Sequence, residues 1–125
     1  MAWELQGKIA SFEAANDLSA LQYTAVKMAT GSKVDAFAAD TDLAVGILQN
    51  KPTAGQTAEV QLDGVSKMVF SGSIAVGVMV HGSSTGRATS IATAKYILGQ
   101  VVETAANDGE LGSVLITNPG SVKAA

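Results

Sequence analysis

The chain has 125 residues, a formal net charge of −3, thirteen glycines, two prolines and no cysteine. Area scaling gives roughly 6,000 Å² of folded surface against roughly 18,000 Å² unfolded, enough burial for one domain without covalent staples. Eight scattered Lys and Arg make no basic stripe for phosphates, so nucleic-acid binding is not expected, and missing cysteines exclude disulfides and thiolate metal sites.

Hydrophobic residues reach 47% but aromatics only 5%, so the core must come from Ala, Val, Ile and Leu. No basic stretch precedes a long apolar run near Met1, so a signal peptide is not expected. No apolar run approaches the roughly 20 residues that cross a bilayer as a helix, and membrane association is not expected.

Residues 1–20 stand apart. Trp3, Leu5, Ile9 and Phe12 are apolar but irregularly spaced, with no sustained period. Ser11 to Ala20 is compatible with a short helix capped by Ser11. Two readings stay open: a terminal strand or helix tucked onto the core, or an arm that orders on a partner. On the second, Trp3, Leu5, Ile9 and Phe12 are the candidate contacts, and removing Met1 to Phe12 is expected to leave a folded domain. The expected division is an N-terminal arm over 1–20, a β-barrel domain over 21–118 and a flexible tail over 119–125.

From Tyr23 onward the pattern is β. Thr57 to Leu62 alternates, with Ala58, Val60 and Leu62 on one face and Glu59 and Gln61 on the other. Asp63-Gly64 follows, then Val65 to Phe70, which reads as a hairpin with positive φ at both turn positions. Further runs lie at Tyr23–Met28, Lys33–Phe37, Ala44–Leu48, Val76–Val80, Tyr96–Val102 and Leu111–Thr117, and the sequence after Arg87 also reads as strand. Turn material separates them: Gly31-Ser32, Pro52 to Gly55, Gly82 to Gly86 and Asn107 to Gly109. Short strands at this spacing predict an all-β fold, a small barrel or sandwich of antiparallel strands with at most one short helix.

An internal echo runs through these strands. Ala44-Val45-Gly46-Ile47-Leu48 resembles Ile97-Leu98-Gly99-Gln100-Val101, and Val60-Gln61-Leu62 resembles Val114-Leu115-Ile116. A glycine inside a strand marks a bulge or close approach, so the echo suggests a pseudo-symmetric barrel.

Little chemistry can be assembled. The lone His81 reads as a solvated turn residue after a strand, with no partner for a catalytic triad or metal. The carboxylates spread over turns and polar faces. Gly82 to Arg87 has three residues between its glycines where a P-loop needs four. Ala25-Val26-Lys27-Met28 resembles the setting of a biotin-carrying lysine, and biotinyl and lipoyl domains are small pseudo-symmetric barrels. Lys27, however, lies in an apolar run ahead of both copies of the echo, not at a mid-domain hairpin tip. No catalytic residue, cofactor or metal is expected, and a carrier or other small binding module is the alternative reading.

Leu43-Ala44-Val45-Gly46-Ile47-Leu48-Gln49-Asn50-Lys51-Pro52-Thr53-Ala54-Gly55-Gln56, with Ala58-Glu59-Val60, Gly64-Val65-Ser66-Lys67, Tyr96-Ile97-Leu98-Gly99, Asp108-Gly109-Glu110 and Val114-Leu115-Ile116, resembles a family of bacteriophage capsid decoration (cement) proteins. The resemblance covers roughly Tyr23 to Thr117. It departs at Gly77-Val78, where relatives usually carry a Gly-Asp turn. It implies a small, non-enzymatic barrel, made in the host bacterial cytoplasm, that binds the major capsid protein on the outer surface of the mature phage head and stabilises the expanded shell. Analogy with better-known decoration proteins adds a homotrimer at threefold or quasi-threefold positions.

Overall fold

The structure, a computed structural model, describes residues 2–117; the expected tail over 119–125 lies outside them. Among the described residues there are eleven strands and no helix. They are β1 (Leu5–Gln6), β2 (Ile9–Ala14), β3 (Ala25–Ala29), β4 (Lys33–Ala36), β5 (Gly46–Leu48), β6 (Thr57–Gln61), β7 (Gly64–Val69), β8 (Met79–Gly82), β9 (Ala88–Ser90), β10 (Gly99–Glu103) and β11 (Leu111–Ile116). The all-β barrel expectation holds. Five strands close a barrel in the order β2-β4-β3-β5-β6, and a second sheet runs β1-β7-β11-β10-β8-β9.

The short helix that Ser11 could cap does not form. Ile9–Ala14 is a barrel strand, antiparallel to β6 from Ile9↔Gln61 to Glu13↔Thr57. Its period is two: Ala14 is buried and Phe12 packs on the barrel core, while Ser11 and Glu13 are exposed. That alternation outweighs the capping potential of Ser11. Of the two readings for this stretch, the terminal strand is the one observed.

The internal echo is an architectural repeat. Each connection of the barrel has a counterpart in the second sheet: β3–β4, β3–β5, β5–β6 and β6–β2 correspond to β8–β9, β8–β10, β10–β11 and β11–β7, all antiparallel. The parallel pair β2–β4 has its counterpart in a single parallel bridge, Phe70↔Ala88. Individual hydrogen bonds repeat as well. Ala15 N donates to Val34 O at 2.8 Å and Ser71 N to Ala88 O at 2.8 Å; Gly55 N donates to Ala14 O and Gly109 N to Phe70 O. The sequence echo therefore marks two five-strand units, not two halves of one barrel. The echoed glycines explain the spacing. A Cβ on Gly46 would lie 2.3 Å from Gln61 O, and one on Gly99 would lie 2.1 Å from Leu115 O, so both positions exclude a side chain.

The Asp63-Gly64 hairpin is the main correction. β6 and β7 do not pair with each other; β6 stays in the barrel and β7 enters the second sheet. Only Gly64 has positive φ, at 78°. The N-terminal segment takes the place of the hairpin partner, with Leu5↔Val65 and Gln6↔Gly64 on one side and Ile9↔Gln61 on the other. Between them Lys8 N donates to Asp63 Oδ1 at 2.6 Å, and Leu62 N donates to Lys8 O. The buried Gln61 amide donates to Asp63 O, Val65 O and Leu5 O at 2.8, 3.2 and 3.3 Å. One bent N-terminal strand thus spans both units.

Two cores follow from the repeat. Val26, Val34, Leu48 and Val60 fill the barrel, and the corresponding Val80, Ala88, Val101 and Val114 belong to the second core. The second core also takes Ala25, Phe37, Ala44 and Ile47 from the first unit, which joins the units through a shared apolar interface. Inside the second unit the Phe70 ring occupies the space that a side chain at Gly112 would need.

Candidate binding surface

The four sequence candidates separate in the structure. Trp3 and Leu5 are 45% and 64% exposed, Ile9 is 38% exposed, and Phe12 is half-buried against the barrel core. Ile9 pairs with Gln61 and Phe12 with Ala58, so strand alternation puts them on opposite faces of β2. Trp3 is fixed by its backbone: its N–H donates to Ser113 Oγ at 2.6 Å, and Ser113 Oγ donates back to Trp3 O. The segment before β1 therefore lies over the outer face of β11.

That face carries a mostly apolar row, interrupted by Gln100 and with Val65 buried, visible only through strand register. Leu5, Val65, Leu115, Gln100 and Met79 stand directly opposite one another across β1, β7, β11, β10 and β8. Their alternates Met68, Val114, Val101 and Val80 are in the core, so the row points away from it. Leu111, 38% exposed, and Val69 form a second apolar pair on the same face. Lys67 and Glu103, each opposite Ser113, are the charges among them. Apart from its N-terminus, the chain distributes charge unevenly: residues 8–63 hold four Lys against seven Asp and Glu, whereas 64–117 hold three Lys and Arg against three. The first unit is acidic; the second is neutral.

The remaining chemistry is structural. His81, expected in a solvated turn, lies within β8, 4% exposed, paired with Thr89 and with Nδ1 2.9 Å from Gly82 O. Lys27 sits mid-strand in β3 and pairs with Asp42 at 3.2 Å; a carrier lysine would sit at a hairpin tip. Burial works to raise the Asp42 pKa, but the amides of Ala38 and Ala39 and the Lys27 ammonium outweigh it and hold the carboxyl below its ordinary range. Among the described residues no group of three His, Cys, Asp or Glu is placed to hold a metal ion.

The family profile described as "Phage cement protein" matches residues 9–116, most of the chain. The chain belongs to the phage cement protein family. The match begins at β2, upstream of the Tyr23 boundary that the sequence motifs suggested. This is a family of structural proteins and not of enzymes. The fold is similar to that in "The crystal structure of head fiber gp8.5 N base in bacteriophage phi29", with a TM-score of 0.70 at 17% identity, covering 92% of this chain and 99% of that one. At that identity the likeness is one of fold. A search of curated proteins gives no match.

Within a cement protein, the exposed face with Trp3 and Leu5 is the natural candidate surface. Trp3 and Leu5 were legible as large apolar residues outside any period. Leu115, Gln100 and Met79 were not, because only the pairing register places them beside Leu5.

Proposed function

We propose that this protein binds the major capsid protein on the outer surface of the mature phage head and stabilises the expanded shell against internal DNA pressure. Membership of the cement protein family is the observation that carries the reading. The mostly apolar row from Leu5 to Met79, with Trp3 beside it, forms the docking face. Large exposed aromatic and aliphatic side chains on a neutral face are the usual anchors of an interface.

The mechanism is mass action. A ligand that bridges neighbouring capsomers only in the expanded lattice stabilises that lattice, by about 2.7 kcal/mol per site at 100 times the dissociation constant. Repeated over a head, this resists rupture without any bond being made or broken. In this reading the protein resides on the virion exterior after synthesis in the host cytoplasm, and it assembles as a homotrimer at threefold or quasi-threefold positions.

Co-sedimentation tests the reading. The protein is expected to pellet with expanded heads and scarcely with unexpanded ones; equal binding to both removes the stabilising role. Trp3→Ala and Leu5→Ala, both at exposed positions, are expected to keep the fold and weaken binding roughly tenfold or more each. Unchanged binding by both variants would move the docking face elsewhere.

A further inference from the structure

The two units repeat each other, yet only one has its first strand covered. Residues Val65, Lys67 and Val69 of β7 turn their backbone groups away from β11, since Phe70 N donates to Glu110 O on the other side. There β1 adds to β7 at Val65, and Val69 N donates to Tyr23 O. The counterparts on β2 are Ile9, Ser11 and Glu13, because Ala14 N donates to Gln56 O just as Phe70 N does to Glu110 O. β4 covers β2 only at Glu13 and Ala14. Among the described residues no strand covers Ile9 and Ser11 on that side. The exposures record the difference: Val65 is 5% exposed under β1, while Ile9, its counterpart, is 38% exposed.

The uncovered stretch continues into a groove of about 290 Å³ lined by Ser11, Phe12 and Glu13 of β2, Ser32 of the β3–β4 turn, and Gln56 and Thr57. Beside its Ser11 end stands the Glu59 carboxylate. Both Glu59 carboxylate oxygens accept from Ser11 Oγ at 3.0 Å, and no cation among the described residues is paired with Glu59. Glu13 lies beside it, 3.1 Å from Lys33.

We propose that this open edge of β2 receives an extended, basic segment of the capsid protein as an added antiparallel strand. The inference rests on the capsid-binding reading above and adds a second contact to it. The chain itself shows the mode, since β1 occupies the equivalent edge of the other unit. An unpaired edge supplies main-chain hydrogen bonds, and Glu59 selects Lys or Arg side chains by charge complementarity.

Hydrogen exchange on the full chain, free and bound to expanded heads, tests this amide by amide. The Ile9 and Ser11 amides are expected to slow on the order of tenfold or more on binding, since each gains a hydrogen bond. The Ala10 and Phe12 amides, already directed at β6, serve as the internal reference. In a second arm, Ser11→Pro removes the donor that faces away from β6, along with the hydroxyl bonded to Glu59, and is expected to lower head affinity on the order of tenfold relative to Ser11→Ala, which loses the hydroxyl alone. Glu59→Gln is expected to lower it several-fold at low salt and not at high salt. Wild-type binding with unprotected Ile9 and Ser11 amides overturns the added strand and leaves the cement role standing. Should Ser11→Pro not fold, exchange on the wild type decides alone. Wild-type protein that fails to bind heads overturns both.

Discussion

Gln61 shows how much of this fold depends on single side chains at the junction of the two units. It is 1% exposed, and its amide serves carbonyls from the N-terminal segment, the crossover and β7. Gln61→Leu keeps the volume but leaves those carbonyls without their donor, a loss of about 2–3 kcal/mol. Urea unfolding of the two proteins measures it, and equal midpoints would remove Gln61 from the junction. Asp42 makes the complementary prediction in pH. Its folded pKa lies below the ordinary value of 3.8, so its contribution is complete above that value and is lost as the pH falls through the folded pKa. Asp42→Asn is therefore expected to be less stable than wild type at neutral pH, with the gap closing below about pH 3.8. Thermal melts at neutral and strongly acidic pH read the difference, and a constant gap would contradict the assignment. Neither role is legible in the sequence. Gln61 looks like one more outward polar residue of an alternating strand, and it faces away from the barrel core as expected. What buries it is the N-terminal segment lying alongside.

At the scale of elements, the strands were legible because alternation and turn residues are local signals. Each of the apolar runs from Tyr23 to Thr117 contains a strand, although β8 begins only at Met79 and runs on through His81. Lateral partners are not local. Asp63-Gly64 marks a bend, with positive φ at Gly64, but nothing within those two residues says whether the chain reverses there and pairs or runs on. The N-terminal segment competes for the same edge and wins by pairing with both β6 and β7. This changes what a truncation should do. A detachable arm over Met1 to Phe12 would leave a folded domain. In the structure that deletion removes β1, most of β2 and the half-buried Phe12. The truncated chain is expected to lose cooperative unfolding, and a retained sharp melt near the wild-type midpoint would restore the arm. Phe12→Ala alone is expected to cost about 1–3 kcal/mol, read by urea unfolding.

For the whole molecule, the echo between Gly46 and Gly99 was the most informative sequence feature, because the same backbone crowding recurs in each unit. Its scale was the part that five-residue matches could not convey. The repeat is a complete five-strand unit, and the interface between copies draws on Ala25 and Ile47, which face away from the interior of their own barrel. The repeat is uneven at the surface. One unit is acidic with an uncovered β2 edge, and the other is neutral with its edge covered and an apolar row outside. A molecule built this way presents two chemically different faces.

On the proposed reading, occupancy of such faces strengthens the head. The most direct measurement is the force needed to rupture single DNA-filled heads by indentation, compared with and without saturating protein. A clear rise in rupture force on adding protein, lost again with Trp3→Ala and Leu5→Ala combined, is the predicted result. Equal rupture forces at demonstrated full occupancy would contradict it.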